Sequence, residues 1–569
     1  MVTKRFLLIL TAIVLLGSML AACGPAAESE AEPTTVSGTT EETTVEDPAA
    51  EVVEGVPAEK PTLVRPLVLA WYATPPTIDG DVAGSLAQIV SVNTCETLVA
   101  YKTEKNESGY DVSQIMAMGL DEFEGRLAES WSVSEDGKVW TFKLREGVLS
   151  NYGNELTSED VRWSYERAWT VKGVAKFIAN SAQHIEKPED VKAVDKYTVQ
   201  FTTTIANPYF LPIATIYAPC IHDSTELKKH VTAEDPFGAS WTSNHNATFG
   251  PWQMTSITPG VEAIFEPNPN YYRGMPYYSK VIWREVPISA NRMALLKSGD
   301  VDIAFRLSSR EIQEVLSDTA FKRPDVDPSV THEWRLNFNT PPFDNKLVRQ
   351  AMAYAFPYEE VLQKVYYGTA SEMKSFIFPW AEGYDPTPWI YTEDLEKAKS
   401  LLKEAGLGDG FEFNVAVQTN WPEYEEIAVL LKANLEKIGV TMNIDKYPEA
   451  VFNQNRYTRT LQSTIDDQMA IYPAAVYAAP ITFAEGTFGL SNFNNFQNDR
   501  FNELIDAVWV ETDPEKRVEL IKEEQAIIAD EVGWVYIAIP SVPDVIKSVI
   551  QGWTWYPDNH VRWFDLYED

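Results

Sequence analysis

The chain has 569 residues, 45% of them hydrophobic, and carries 83 acidic against 47 basic side chains, which gives a formal net charge of −36. This length is enough for two or more folded domains. The strong negative charge favours solubility and argues against nucleic acid or anionic lipid as a binding partner.

The N-terminus has the pattern of a secretory signal. Lys4 and Arg5 precede a short apolar run, which ends in a tetrad of small and apolar residues whose last member is Cys23. The run is too short for a membrane span, and the tetrad resembles a bacterial lipobox. We therefore predict a signal peptide over 1–22 and a diacylglyceryl group on Cys23, in preference to an ordinary cleaved signal with an incidental cysteine.

The segment that follows, 23–60, is predicted to be a disordered acidic tether. After Cys23 it is rich in Thr, Glu, Ala and Pro and contains no aromatic residue. Such a composition cannot bury enough apolar surface to offset the entropy lost on ordering. Its acidic side chains repel one another and extend the chain. We expect the folded body to begin near Pro61, and no later stretch of the sequence has the apolar length of a bilayer span.

The first clear element pair in the body is a strand followed by a helix. Trp140, Phe142 and Leu144 alternate with polar residues, which predicts a half-buried strand. Thr157 with Asp160 three residues later resembles a capping box, and apolar residues at helical spacing follow it. This part of the chain therefore predicts a strand, a turn and a capped helix.

Cysteine and histidine usage gives no metal or catalytic pattern. After Cys23 only Cys95 and Cys220 remain, which is neither a disulfide scaffold nor a zinc motif. A bridge between them is possible outside the cytoplasm, but we favour two buried thiols because the sequence does not give their distance. The six histidines are never spaced by four residues, so we expect no metal site and no cofactor.

A second regular unit lies in the C-terminal third of the chain. Apolar residues alternate over 411–417, Pro422 opens a helical pattern that Gly439 ends, and a second apolar strand follows over 440–444. This order predicts a βαβ unit and a locally parallel sheet. Two amphipathic stripes beyond residue 500 predict helices that cover a sheet.

Six ordered blocks along the body resemble the solute-binding protein family that contains the oligopeptide- and dipeptide-binding proteins of ABC importers. They occupy 127–169, 249–274, 291–304, 334–356, 397–406 and, in two parts, 498–508 with 513–531. Their number, order and family-like spacing make this resemblance far more specific than a single short motif.

The resemblance implies an α/β, two-lobed periplasmic-binding-protein fold, type II-like with an extra domain, in which mixed sheets carry helices on both faces. Ligand would be held between the lobes, and chain crossings near 331–337 and 539–542 would act as hinges. The implied division is domain I from 61–100, 216–330 and 540–569, domain II from 101–215, and domain III from 331–539.

The implied function is ligand capture outside the cytoplasm for an ABC importer, and not catalysis. Membrane permease and ATPase subunits would receive the ligand, Cys23 would anchor the chain to the bilayer, and we expect a monomer. A ligand sensor that feeds a signalling receptor would use the same fold. A secreted glycoside hydrolase is the alternative from a different class, since acids and Trp are abundant, but the sequence has no GxSxG, HExxH or Walker motif.

Ligand contacts are predicted among aromatic and polar residues in segments that the family brings toward its cleft or hinge. Aromatic faces stack on sugar rings and on apolar side chains. Core packing is the alternative for each Trp, and a turn role is the alternative for each Asn. The candidates are Trp71, Tyr72, Trp252, Trp334, Asn337, Asn339, Trp421, Asp467, Tyr472, Trp553 and Trp555.

The chain departs from the family at the residue that pairs with a peptide's α-ammonium. Oligopeptide- and dipeptide-binding members carry an Asp shortly after a Trp in the third domain, and an ungapped match puts Gln468 at the Trp and Ile471 at the Asp. Asp466 or Asp467 would replace this anchor only after a register shift, and we favour turn roles for both. Burying an unpaired ammonium is costly. We therefore expect that pairing with a ligand's α-ammonium does not dominate binding, and we favour peptides over oligosaccharides as ligands only narrowly.

Overall fold

The computed structural model describes residues 62–84, 86–115, 119–469, 475–485 and 491–569. The predicted signal peptide, the lipid site at Cys23 and the tether therefore lie outside the described residues, as does Tyr472. None of the helices in the described segments combines the length and the apolarity that a membrane span requires.

The strands are short and spread along the whole body. In chain order they are β1 (Pro66–Trp71), β2 (Val99–Tyr101), β3 (Thr103–Lys105), β4 (Asp111–Ser113), β5 (Phe123–Gly125), β6 (Ala128–Val133), β7 (Val139–Leu144), β8 (Val191–Asp195), β9 (Thr198–Thr202), β10 (Trp252–Thr258), β11 (Glu262–Pro267), β12 (Lys280–Glu285), β13 (Ile303–Ala304), β14 (Phe321–Lys322), β15 (Val330–Leu336), β16 (Ser371–Glu372), β17 (Glu412–Gln418), β18 (Thr441–Tyr447), β19 (Ser463–Met469), β20 (Val535–Ile539), β21 (Val545–Lys547), β22 (Ile550–Gln551), β23 (Thr554–Trp555) and β24 (Tyr567–Glu568).

Helices alternate with these strands. They are α1 (Leu86–Thr94), α2 (Ser158–Val171), α3 (Val174–Phe177), α4 (Phe210–Ala214), α5 (Ser224–Leu227), α6 (Ala239–Thr242), α7 (Ser289–Ser298), α8 (Ser309–Val315), α9 (Lys346–Ala355), α10 (Tyr358–Lys364), α11 (Leu395–Glu404), α12 (Pro422–Glu436), α13 (Glu449–Thr458), α14 (Ala475–Phe483), α15 (Asp499–Val510) and α16 (Pro514–Glu531). A π-helical turn (Ile178–Ala182) and a 3₁₀ turn (Pro188–Asp190) add to them.

The largest sheet has seven strands in the order β10-β11-β12-β1-β13-β21-β14. Its centre is β1, which pairs in parallel with β12 and β13, while β10, β11 and β21 join in antiparallel fashion. Leu67, Leu69 and Ala70 of β1 are fully buried, as expected for a central strand covered on both faces. This mixed sheet collects strands from both ends of the body.

A four-stranded antiparallel sheet has the order β6-β7-β9-β8. The alternating strand predicted at Trp140 is β7, whose buried and half-buried residues alternate as expected. The predicted capping box begins α2, where the backbone N–H of Thr157 donates to Asp160 Oδ2 at 2.8 Å. Both predictions are confirmed.

The third large sheet has six strands in the order β16-β20-β15-β19-β17-β18. Strand β17, helix α12 and strand β18 form the predicted βαβ unit, with β17 and β18 parallel throughout. Strand β15 lies between β19 and β20 and is antiparallel to both. The two predicted C-terminal stripes are α15 and α16, whose apolar faces are buried.

The prediction of two free thiols is wrong, because Cys95 and Cys220 form a disulfide with a Cα–Cα distance of 5.7 Å. Cys95 directly follows α1, and Cys220 lies in the loop between α4 and α5. The two cysteines are 125 positions apart in the sequence, and the segment between them includes the whole four-stranded sheet. Local sequence carries no signal for so distant a pairing, since the fold alone brings the two residues together.

Candidate functional site

A cavity of about 760 Å³ lies between chain segments that are far apart in the sequence. Residues of the loop before α1 and of the segment after α2 form one wall, and residues near α13, β19 and α14 form the other. Its polar lining residues include Lys172, Lys176, Asn180, Ser181, Arg456 and Asp467. A volume of this size suits a small-molecule or short-oligomer ligand.

The first wall is an irregular stretch that begins where α2 ends. Lys172 adopts a left-handed conformation with φ of 58° and so turns the chain. At Gly173 a side chain is excluded, because a Cβ atom there would lie 2.3 Å from the carbonyl oxygen of Asp81. The π-helical turn Ile178–Ala182 then presents Ser181 to the cavity, and such turns occur frequently at functional sites.

Buried Arg167 of α2 fixes this wall to the loop before α1. Its Nη1 donates to Asp81 Oδ2 at 2.7 Å, and its Nη2 donates to Asp79. His222 Nε2 also lies 2.8 Å from Asp81 Oδ2, while the N–H of Cys220 donates to Oδ1 at 2.9 Å. Burial alone would raise the pKa of Asp81, but His222 and Arg167 lower it. Asp81 is therefore a structural anchor with no free oxygen for a ligand.

The opposite wall is supported by a buried charge cluster on β15 and β19. Asp466 is fully buried, and Arg456 Nη1 donates to its two oxygens at 3.0 and 2.9 Å. Arg335 Nη1 lies 3.3 Å from Asp466 Oδ2. Glu333 is the cross-strand partner of Asp466, and burial raises its pKa to about 8 although Arg335 opposes the shift. The carboxylate of Asp466 is therefore already paired with arginine side chains of the protein itself.

Asp467, the next residue on β19, lines the cavity instead. Its carboxylate is half-buried, and the hydroxyl of Tyr424 donates to Oδ1 at 3.1 Å. Burial and the neighbouring Asp466 raise the pKa of Asp467, while nearby arginines including Arg306 oppose the shift. Asp467 therefore meets the cavity as a carboxyl group that holds a proton more readily than an ordinary aspartate.

Residues 122–489 match the family described as "Bacterial extracellular solute-binding proteins, family 5 Middle". This span covers most of the chain and contains the segment after α2 as well as β19. The chain is a family 5 solute-binding protein. The family predicted from the sequence blocks is thus confirmed.

Two curated relatives of this family 5 protein have names that refer to dipeptides. The dipeptide-binding protein of Escherichia coli (strain K12) is 27% identical over 464 residues, which cover 77% of this chain and 84% of the relative. The probable D,D-dipeptide-binding periplasmic protein DdpA of the same organism is 24% identical over 494 residues, covering 86% of this chain and 92% of the relative. These relatives are binding proteins.

A solved structure supports the fold. The dipeptide-binding protein from Pseudoalteromonas sp. SM9913, in complex with Met-Leu, has a TM-score of 0.79 and 22% identity, and the match covers 89% of this chain and all of that chain. The predicted α/β, two-lobed periplasmic-binding-protein fold is therefore confirmed for the family 5 protein.

Among the predicted ligand contacts that fall on described residues, Asp467 is the one that lies in the lining of this cavity. The interpretation of Asp466 and Asp467 as turn residues is wrong, because both lie within β19 and pair with β15. The error arose because a strand with two adjacent acids has no alternating apolar pattern. Strand pairing and arginine neighbours stabilise the acids here.

Three predicted tryptophans belong to the apolar core beside the seven-stranded sheet. Trp71, Trp252 and Trp553 are all at most 6% exposed. Trp71 stacks on Trp283 and Phe305, with ring centroids 5.2 and 4.2 Å away. These buried positions fit the alternative role of the three tryptophans in core packing. Their contacts with a ligand stay predictions.

Two further tryptophans pack elsewhere. Trp334 of β15 is fully buried and stacks on Phe413 at 6.0 Å between ring centroids. Trp555 meets the ring of Trp380 edge-on at 5.8 Å. Both indoles therefore serve packing in this conformation, and their ligand contacts also stay predictions.

Tyr72 and Trp421 hold a guanidinium between them. The Cζ of Arg306 lies 4.8 Å from the ring centroid of Tyr72 and 4.6 Å from that of Trp421. Since Tyr72 follows β1 and Trp421 precedes α12, this cation–π contact joins the seven-stranded and six-stranded sheets.

Asn337 is buried and its amide group donates to the carbonyl oxygens of Leu461 and Arg459 at 2.9 and 3.2 Å. Its Oδ1 accepts a bond from the N–H of Asn339, whose own side chain is exposed. These hydrogen bonds fit the alternative of a turn role for Asn337.

Sequence reasoning missed the residues of the first wall. Lys172, Lys176, Asn180 and Ser181 belong to no recognised motif, and their role depends on the left-handed turn and the π-helical turn that aim them at the cavity. The only local signal was the end of the amphipathic pattern of α2. The end of a helical pattern followed by a short irregular stretch does not tell which side of a cavity that stretch will line.

Proposed function

We propose that this family 5 protein captures peptide-like ligands in the 760 Å³ cavity and delivers them to the permease and ATPase subunits of an ABC importer. The observation that carries the proposal is a cavity with one wall from the loop before α1 and the segment after α2 and the other wall from α13, β19 and α14, so that a ligand would contact both. The peptide-binding names of the curated relatives support the ligand class.

The proposed mechanism is closure of two lobes on the ligand. Each large sheet draws its strands from one of the three domains predicted above, which supports that division. The proposed hinge near 331–337 coincides with β15, and the one near 539–542 begins at the last residue of β20, the strand that pairs with β15. A ligand that contacts both walls favours the closed form through its differential affinity for that form.

We also propose that the lipid on Cys23 holds the protein at the outer face of a membrane. The support is the lipobox-like tetrad and the acidic tether in the sequence. Mass spectrometry of Cys23 peptides from the membrane fraction is expected to detect a diacylglyceryl group, and an unmodified Cys23 would contradict the anchor.

Oligosaccharides are the second candidate ligand class. The rings of Tyr457 and Phe493 line the cavity and meet each other edge-on at 5.4 Å between centroids. The ring of Tyr457 is exposed while that of Phe493 is buried, and an exposed aromatic ring beside hydrogen-bonding groups suits the face of a sugar.

A thermal-shift screen of short peptides and oligosaccharides tests the proposal. A ligand that binds only the folded state raises the unfolding midpoint in a concentration-dependent way. We expect a stabilising peptide, recovered unchanged by chromatography after incubation. Stabilisation by oligosaccharides alone would reverse the ligand assignment, and product at catalytic turnover would support the glycoside hydrolase alternative.

A further inference from the structure

The charge of the cavity is opposite to that of the molecule. The whole chain carries a net charge of −36, yet Lys172, Lys176 and Arg456 line the cavity together with a single acid, Asp467. In a chain with nearly two acids for every base, three bases against one acid is a local reversal. Such a reversal raises the local concentration of anions and favours their binding.

The two lysines differ from the other charged groups because they have no partner within the protein. No carboxylate in the described part of the chain forms an ion pair or a hydrogen bond with either ammonium group. Lys172 is exposed and Lys176 is half-buried, both in the wall formed by the segment after α2. Their positive charge is therefore available to a ligand.

The remaining charged groups are already matched on the opposite wall. Arg456 donates to both oxygens of Asp466, so its charge is balanced inside the protein. Asp467 accepts a hydrogen bond from the hydroxyl of Tyr424, and burial beside Asp466 raises the pKa of Asp467. The free charge of the cavity is thus mainly the two ammonium groups.

From this distribution we propose that the ligand carries a carboxylate, which binds to Lys172 and Lys176 on the wall after α2. This inference rests on the proposed function and names a feature of the ligand within it. The carboxylate is either the C-terminus of a peptide, an acidic side chain, or the acid group of a sugar acid. Charge-assisted bonds to an ammonium are shorter and stronger than neutral ones, so this pair sets selectivity among ligands of similar size.

The test is calorimetric titration at neutral pH with probes that differ only in their carboxylates. Ala-Gln-Ala amide has none, Ala-Gln-Ala has a terminal one, and Ala-Glu-Ala amide has one in its side chain, while all three keep the α-ammonium. Cellobiose and cellobionate form a matched pair without any peptide group. The proteins are wild type, the double variant K172Q/K176Q, and K192Q, which changes an exposed lysine on β8 that does not line the cavity.

We expect a carboxylate peptide to bind wild type and K192Q about tenfold more tightly than Ala-Gln-Ala amide, because a bond to a charged group contributes more than a neutral one. In K172Q/K176Q the preference is expected to fall to within about twofold. Equal binding of all peptides by wild type, or a preference that survives in the double variant, overturns the inference while peptide binding itself stands.

Wild type that binds none of the peptides would contradict the proposed peptide function instead. In that case a lysine-dependent preference for cellobionate over cellobiose upholds the inference for a different ligand class. The absence of a carboxylate preference in both series overturns it. The wild-type comparisons need no variant, so they remain decisive if the double variant fails to fold.

Discussion

At the scale of single residues, Asp467 is the acid in the cavity lining that a ligand ammonium would meet. Burial and the neighbouring Asp466 favour its protonated form, which attracts an ammonium only weakly. We therefore predict that N-acetylation of a bound peptide lowers its affinity by less than ~2 kcal/mol, the scale for stranding a buried charge partner.

Calorimetry on matched free and acetylated peptides measures this difference in wild type and in Asp467→Asn. A larger loss on acetylation that disappears in Asp467→Asn would identify Asp467 as an ammonium anchor and contradict the prediction.

Asp544 is a second acid whose environment predicts a measurable pH effect. Burial raises its pKa from 3.8 to about 7, while a bond from the N–H of Arg306 at 3.2 Å opposes the shift. Between these two values the folded protein holds a proton that the unfolded chain releases. Its contribution to stability therefore falls as pH rises through this window, by at most ~1.4 kcal/mol per pH unit.

Asp544→Asn removes this titration. The stability of the variant relative to that of wild type is expected to rise as the pH is raised from about 4.5 to about 7.5. Asp318→Asn is the control, since Asp318 is exposed and also accepts a backbone N–H. A stability difference between Asp544→Asn and wild type that does not change with pH would contradict the assignment.

At the scale of elements, a polar contact joins the α4 segment to α16. The hydroxyl of Tyr209 donates to Glu382 Oε2 at 3.1 Å, and Arg517 Nη2 donates to Oε1 at 2.8 Å. Trp509 of α15 meets the rings of Tyr209 and His184 edge-on. The contact links the part of the chain that contains the four-stranded sheet to the part that contains the six-stranded sheet. We therefore expect it to stabilise the closed form.

Tyr209→Phe removes the hydroxyl but keeps the ring. We predict that it speeds ligand dissociation about threefold to tenfold, the range for losing one bond to a charged acceptor, with little change in thermal stability. Tyr197→Phe is the control, since Tyr197 donates to Glu155 at 2.7 Å within a single sheet region. Equal dissociation rates of Tyr209→Phe and wild type in stopped-flow fluorescence would show that the contact has no part in closure.

Elements with local signals could be predicted from sequence, whereas most of the site, apart from Asp467, could not. The cap at Thr157 and each strand and helix of the βαβ unit have a pattern within a short stretch of sequence, and both formed as expected. The Cys95–Cys220 bridge and the lysines of the cavity wall depend on tertiary placement. Tryptophan content indicated large cores more than a ligand site, because an indole buries apolar area in either setting.

At the scale of the whole molecule, the contacts at Arg306 and Tyr209 join parts that we propose to separate without ligand. Small-angle scattering is therefore expected to give a larger radius of gyration for the free protein than for the protein saturated with a stabilising peptide. Ser130→Trp, an exposed change on β6, is expected to compact as wild type does. An unchanged radius with confirmed binding would contradict lobe closure.

The central claim is that ligand binds in the cavity between the two walls. Ser181 lines this cavity with an exposed side chain, and Ser181→Trp would fill part of the space with an indole. The most direct measurement is calorimetric titration of wild type, Ser181→Trp and the surface control Ser130→Trp with the peptide that stabilises wild type most. We expect one-to-one binding by wild type and the control, with about a hundredfold weaker binding by Ser181→Trp. Equal affinity of all three proteins would show that the ligand binds outside this cavity.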